Sequence, residues 1–220
     1  ISLFLLLFAI VFSSCTSNQL TDYYVYVGTY TGGDSEGIYT YRLNMETGEL
    51  SHYATTSGIE NPSFLAPHQN GEWFYSVSQI RSKSGDIHAF KRDAKTGLLT
   101  ALNSQPSEGA GPCHLIVDQS GKWVLAANYT GGTISILPIK ENGSLGPATD
   151  KIEHVGSSVN PNRQQEPHPH SIWVSPDNRF AFVPDLGTDK INIYKLDLEN
   201  GKFLPSEAEF YKTEPGAGPR

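Results

Sequence analysis

The feature that most constrains this chain is an internal repeat with a unit near fifty residues. Pro62, Pro112 and Pro169 each open an apolar run, and eleven residues after each proline stands an aromatic: Trp73, Trp123 and Phe180. The turns between them are Asn70-Gly71, Ser120-Gly121 and Asp177-Asn178. Such pairs accept the backbone a tight antiparallel hairpin demands. Alternating segments such as Ile134-Ser135-Ile136-Leu137 and Ile191-Asn192-Ile193-Tyr194 recur further on, and Gly48, Gly97, Gly143 and Gly201 mark a later turn at intervals of 49, 46 and 58 residues. Four short strands fit in such a unit, and a four-stranded antiparallel sheet buries both faces only by stacking on neighbours. The repeat therefore predicts an all-β fold, a β-propeller of four-stranded antiparallel blades.

The first unit starts late. Tyr24 to Tyr30 matches the second strand of later units, Ile38 to Leu43 the third and Leu50 to Thr56 the fourth, with no counterpart of the innermost strand near residue 20. In a closed propeller that strand often comes from the C-terminus. Here Gly218-Pro219-Arg220 repeats the opening Gly111-Pro112-Cys113. The expectation is the N-terminal half of a ring, about three and a half blades against the ~4–8 that propellers use. A half-ring would expose two blade faces and should not be stable alone.

Composition narrows the function. With 38% hydrophobic and 11% aromatic residues, 21 glycines and 14 prolines, the chain has the balance of a globular protein rich in turns rather than of a disordered one. Sixteen basic against 23 acidic side chains leave a net charge of -7, which argues against nucleic acid as a partner. A small anion is not excluded, because a few local cations can reverse the potential inside one pocket.

Ile1 to Phe12 is almost wholly apolar and gives way to Ser13-Ser14-Cys15 and then polar residues. That run is too short to span a membrane and has the form of a signal-peptide core. Small residues before a cysteine fit a bacterial lipobox, although Phe12 stands where Leu is usual. We therefore expect residues 1–19 to be a lipoprotein signal peptide and tether lipidated on Cys15, and residues 20–220 to be the propeller. The alternatives are an uncleaved anchor or a buried strand. The absence of Met and of a basic leader suggests a clipped N-terminus. The expected location is the cell envelope, attached only through lipid, with a cytoplasmic location as the alternative. Cys113 is then the one remaining cysteine, so no intrachain disulfide is expected.

His168-Pro169-His170-Ser171, Val174-Ser175-Pro176-Asp177-Asn178 and Val183-Pro184-Asp185-Leu186-Gly187-Thr188-Asp189 resemble the lactonase or 6-phosphogluconolactonase family of seven-bladed propellers, which includes carboxy-cis,cis-muconate cyclase. Val27-Gly28-Thr29-Tyr30-Thr31, Asn128-Tyr129-Thr130-Gly131-Gly132 and Pro215-Gly216-Ala217-Gly218-Pro219-Arg220 support the resemblance, which spans Tyr24 to Arg220. It implies a seven-bladed ring and a hydrolase that opens a sugar-acid lactone such as 6-phosphogluconolactone. Export would count against that phosphorylated substrate. A lactonizing cycloisomerase and a non-enzymatic binding propeller are the competing readings. No cofactor or metal is expected, and the complete ring is expected to be a monomer.

The repeat frame offers an independent argument. Residues one place after each proline, Ser63, Cys113, His170 and Arg220, occupy equivalent inner-strand sites. Strand side chains alternate with period two, so these four, with His168, should face one way around the axis. Ester hydrolysis needs a base for water and a donor for the oxyanion. His170 is assigned as base, Arg220 as stabiliser and His168 as a positioning or second titrating group. Their alternative roles are a core histidine at His170 and a turn cap at His168. Asp185 and Asn128 end equivalent second strands, where they could bind a substrate hydroxyl or orient His170, and Asp185 could instead cap the turn that follows. Arg163 and Glu166, in the long insertion before His168, are further substrate-contact candidates or solvated loop charges. His114 points to the opposite strand face and is read as packed between blades.

Overall fold

The computed structural model describes residues 22–220, and Cys15 with the rest of residues 1–21 lies outside them. All elements are strands. Strands β1 (Asp22–Val27), β2 (Gly37–Asn44) and β3 (Leu50–Ser57) form a three-stranded antiparallel sheet. Three four-stranded blades follow, each in chain order from one edge to the other. The second holds β4 (Leu65–Pro67), β5 (Trp73–Ser78), β6 (Ser84–Arg92) and β7 (Leu99–Ala110), and the third β8 (Pro112–Val117), β9 (Trp123–Asn128), β10 (Thr133–Pro138) and β11 (Asp150–Glu153). The fourth holds β12 (Trp173–Val174), β13 (Phe180–Asp185), β14 (Lys190–Asp197) and β15 (Lys202–Lys212). The aromatics Trp73, Trp123 and Phe180 each open the second strand of a blade, as the repeat predicts.

Blades are held by the alternation of side chains on these second strands. Every residue of β9 is buried, yet the strand faces two cores. Val124 and Ala126 join Tyr75, Val77, Ile87 and Ala89 of the second blade. Trp123, Leu125 and Ala127 join Ile172, Ala181 and Val183 of the fourth. A period of two thus assigns alternate residues to alternate neighbours. Each large apolar side chain buried this way contributes about 1.5–3 kcal/mol.

Tyr24 in β1, and Trp73 and Trp123, which open β5 and β9, also meet the glycine turn of the next blade. A Cβ at Gly97 would lie 2.5 Å from the Tyr24 ring, one at Gly143 would lie 2.6 Å from the Trp73 ring, and one at Gly201 would collide with Trp123. These glycines are also in left-handed backbone, with φ of 69°, 83° and 62°. Hydrogen bonds fix the same joints: Tyr26 donates to the Gly97 carbonyl (2.6 Å), Tyr75 to that of Gly143 (3.0 Å) and Trp123 Nε1 to that of Leu198 (3.0 Å). Gly132, in the third blade with a described blade on each side, has similar left-handed backbone at φ 64°, and a Cβ added there would meet only Pro167 at ordinary contact distances from 3.4 Å.

This contrast yields a prediction for the full-length protein. Gly132→Ala should cost little beyond the left-handed penalty of about 1–2 kcal/mol. Gly143→Ala should cost clearly more, because Trp73 must also move. Urea unfolding midpoints for the pair check the difference, and equal losses would show that the aromatic contact contributes nothing.

Candidate active site

A cavity of about 620 Å³ opens where the inner ends of the blades converge. Ser63, Cys113, His170 and Arg220, the four residues that share one place in the repeat, all line it, and so does His168. The innermost segments that carry them are less regular than the repeat suggests. In the second and fourth blades the ladder begins only at Leu65 and Trp173, so Ser63 and His170 precede their strands. The His170 backbone is held instead by its N–H donating to the Pro184 carbonyl (2.9 Å) and by a bridge between Pro169 and Asp185.

At the centre of the site Arg220 Nε donates to His170 Nε2 at 3.1 Å. Burial pushes the His170 pKa down, and the neighbouring Arg220 and then Arg163 cations push it the same way, against a raising backbone hydrogen bond. His170 is therefore neutral at pH 7, as its acceptor role toward Arg220 requires. His168 Nδ1 donates to the Tyr129 carbonyl (2.9 Å) while its ring stacks on Tyr129 at 4.4 Å and 6°. Tyr129 also meets His170 edge-on at 5.5 Å and accepts a hydrogen bond from Arg163 Nη2 at 3.0 Å. One tyrosine thus contacts three of the candidate residues.

Arg163 and Glu166 reach the cavity from the insertion, at its exposed rim. Cys113 is no nucleophile here: burial first of all raises its thiol pKa to about 12, and its Sγ lies 3.3 Å from the His170 carbonyl. Among the described residues no three His, Cys, Asp or Glu side chains gather to hold a metal ion.

Asp185 and Asn128 are corrections. Both are fully buried and neither borders the cavity, so neither can touch a substrate there. Asp185 Oδ1 accepts from the backbone N–H groups of His168 (2.8 Å), Gly187 (2.9 Å) and Thr188 (3.2 Å), and its Oδ2 pairs with His154 Nδ1 at 2.6 Å. Its carboxylate caps the turn and ties down the His168 backbone. Asn128 donates to the Ser107 carbonyl (2.8 Å) in β7 of the second blade and to Thr133 Oγ1 (3.0 Å) in its own, tying the two blades together. His114 is packed between Phe64 and Trp173, with burial lowering its pKa to about 4.

Tyr30, Gln79, Arg81 and Tyr129 also line the cavity and are not singled out by the repeat. Gln79 and Tyr129 follow the second-strand ends Ser78 and Asn128, so the place one step beyond that strand is the available signal. A second cavity of about 320 Å³, bordered by His154, Tyr194 and Phe210, shares no lining residue with the first and lacks an arginine.

The family described as Lactonase, 7-bladed beta-propeller, matches residues 24–220. The 6-phosphogluconolactonase of Bacillus subtilis is 37% identical over 201 residues, covering 91% of this chain and 56% of that protein. The chain thus spans about half the length of the curated relatives it matches. The periplasmic gluconolactonase of Pseudomonas aeruginosa is similar in structure, with a TM-score of 0.85 at 30% identity over 90% of this chain and 57% of that one. A Bacteroides fragilis structure reaches a TM-score of 0.86 at 38% identity, covering 93% of this chain and 58% of that one.

The buried pair at Asp185 gives a stability prediction. Asp185→Ala should destabilise the full-length protein by about 3 kcal/mol or more, because three backbone N–H groups and His154 Nδ1 lose a buried hydrogen-bond partner and each such loss costs about 1–3 kcal/mol. Thermal or urea melts would show this; a loss below about 1 kcal/mol, the scale of an exposed pair, would mean that the carboxylate does not hold the turn.

Proposed function

The chain belongs to the seven-bladed β-propeller lactonase family, and from that premise we propose that its central cavity hydrolyses the ester bond of an anionic sugar-acid lactone. The observation that carries this reading is the contact between Arg220 and a neutral His170 at the cavity wall. Neutral imidazole can take a proton, and guanidinium can hold an oxyanion. Because Arg220 occupies the Nε2 lone pair, base action requires the guanidinium to give way to water. Substrate binding supplies that exchange by drawing the guanidinium toward the lactone carbonyl.

The water oxygen then bonds to the carbonyl carbon while His170 Nε2 takes its proton. Collapse of the tetrahedral intermediate breaks the ring C–O bond, and the leaving alkoxide takes a proton back from the histidinium or from a second group such as His168. Among the described residues, Arg81, Arg163 and Arg220 border the cavity against one carboxylate, Glu166. That balance favours a phosphorylated or carboxylated substrate despite the negative net charge of the chain. Arg163 and Glu166 are assigned substrate contacts at the rim.

In the full-length protein His170→Ala should slow lactone opening by ~10²-fold or more over the spontaneous rate. Arg220→Lys should also be costly, because an ammonium cannot reproduce the guanidinium fork. For pH, a base must be unprotonated to act, so activity should rise through a limb below the ordinary histidine value of 6.5 and stay level above it. Variants that melt normally and keep wild-type rates would place the chemistry elsewhere.

We further propose that residues 1–19 form a lipoprotein leader and tether, with lipid on Cys15 holding the protein in the cell envelope. Support comes from the short apolar run and the Ser13-Ser14-Cys15 sequence. Radiolabelled fatty acid should enter the wild-type protein and not Cys15→Ala; equal labelling of both would reject the assignment.

A further inference from the structure

Asp189 is buried and belongs to no part of the reaction just described. Its carboxylate is nevertheless a junction for two segments that each carry an arginine of the cavity. Oδ2 accepts from Ser158 Oγ (2.5 Å) and from the Gly216 N–H (2.6 Å), and Oδ1 accepts from Gln164 Nε2 (2.7 Å) and the Gly218 N–H (2.7 Å). Ser158 and Gln164 belong to the insertion, and Gln164 is the neighbour of Arg163. Gly216 and Gly218 belong to the segment that ends at Arg220. The Asp189 main-chain carbonyl adds two further bonds, from Thr213 N–H (2.9 Å) and Thr213 Oγ1 (3.1 Å). The insertion is fastened to the same place by Gln164 Nε2 donating to the Leu186 carbonyl at 2.8 Å.

We propose that Asp189 is a positioning residue for the lactone-opening site, setting Arg220 against His170 and Arg163 at the rim through one shared carboxylate. Among the described residues, strand pairing cannot fix the insertion around Arg163 or the turn after β15 that leads to Arg220, which lie outside the ladders. The carboxylate can, because four charge-assisted hydrogen bonds converge on its two oxygens. Burial works to raise the Asp189 pKa, and the bonds from Ser158, the Gly218 and Gly216 amides and Gln164 outweigh it, so the group stays below its ordinary range and ionised. A neutral amide at this place would present hydrogens to donors on one side and release one or both segments.

This inference rests on the reading of the cavity as the reaction site, but its first test does not require activity. The His170 ring is titrated by NMR in the full-length protein, in the wild type and in Asp189→Asn, with melts confirming the folded state. Arg220 and Arg163 lower the His170 pKa, so their withdrawal should move its titration upward toward 6.5. Of the other groups facing His170, Arg81 and His168 on the cavity wall, Tyr129 edge-on, and Cys113 and His114 behind it are carried by elements the substitution leaves in place, while Glu166 moves with the insertion, and losing that carboxylate would lower the titration, opposite to the expected rise. Lactone opening by the same variant should fall by about 10²-fold in kcat/KM, the scale of a small misplacement. The loss should be shared between a higher KM, from Arg163, and a lower kcat, from Arg220.

Ser158→Ala, which removes one donor and keeps the carboxylate, should give smaller changes in the same direction. It also serves as the deciding variant if Asp189→Asn does not fold. An unchanged His170 titration in folded Asp189→Asn, or in Ser158→Ala where the first variant is unfolded, would overturn the proposal. A wild type that opens no lactone while His170 still shifts in the variant would instead overturn the functional reading and leave the positioning role standing.

Discussion

The joint between successive blades is the constraint from which the rest of the molecule follows. A four-stranded blade has two apolar faces, and neither can be left to water. The structure meets this with one repeated contact, an aromatic of β1, β5 or β9 lying on a left-handed glycine in the next blade, closed by a hydrogen bond to a nearby carbonyl. Glycine is required there twice over, for its backbone conformation and for the space its missing Cβ leaves. Because the joint repeats, successive blades are fastened to one another by the same kind of contact. Inner-edge residues at one repeat position are therefore delivered to one cavity. The site is a product of the packing, not an addition to it.

That dependence explains what the sequence discloses. The repeat makes the blades legible, and with them the convergence of Ser63, Cys113, His170 and Arg220, because one offset in the chain means one place in the ring. It misleads at Asp185 and Asn128. They share an offset too, but a second-strand end is the place where the chain turns away from the axis. A polar side chain there is consumed by the turn, as the three backbone donors on Asp185 show. Equivalence in the repeat thus identifies location and not role. Asp189 is hidden for a different reason. Two of its four carboxylate partners, Ser158 and Gln164, lie in an insertion that breaks the period, and no periodic argument can reach a contact to an aperiodic segment.

The irregular inner edge has its own logic. A fully laddered inner strand would direct its backbone donors and acceptors to neighbours and hold its side chains at fixed spacing. In the fourth blade the ladder is reduced to Trp173–Val174, and the histidine segment before it is held by single bonds to Pro184 and Asp185 instead. This frees His168 and His170 to turn toward Tyr129 and Arg220 while the carboxylate behind keeps the backbone in place. Buried carboxylates therefore do at the axis what strand pairing does farther out. Asp185 serves the histidines, and Asp189 serves the arginines.

Charge is divided along the same wall. The chain as a whole is acidic, yet among the described residues the cavity wall gathers three arginines and a single glutamate. The carboxylates that balance those cations are not beside them. They sit behind the wall, at Asp185 and Asp189, with their oxygens already occupied by backbone and side-chain donors. They can orient the wall without neutralising the guanidinium groups that face the cavity. A carboxylate beside Arg220 or Arg163 would weaken the lowering that these cations add to the effect of burial on the His170 pKa. Keeping acid behind the wall and base within it leaves His170 neutral and the cavity open to an anion, both of which a water-driven ring opening needs.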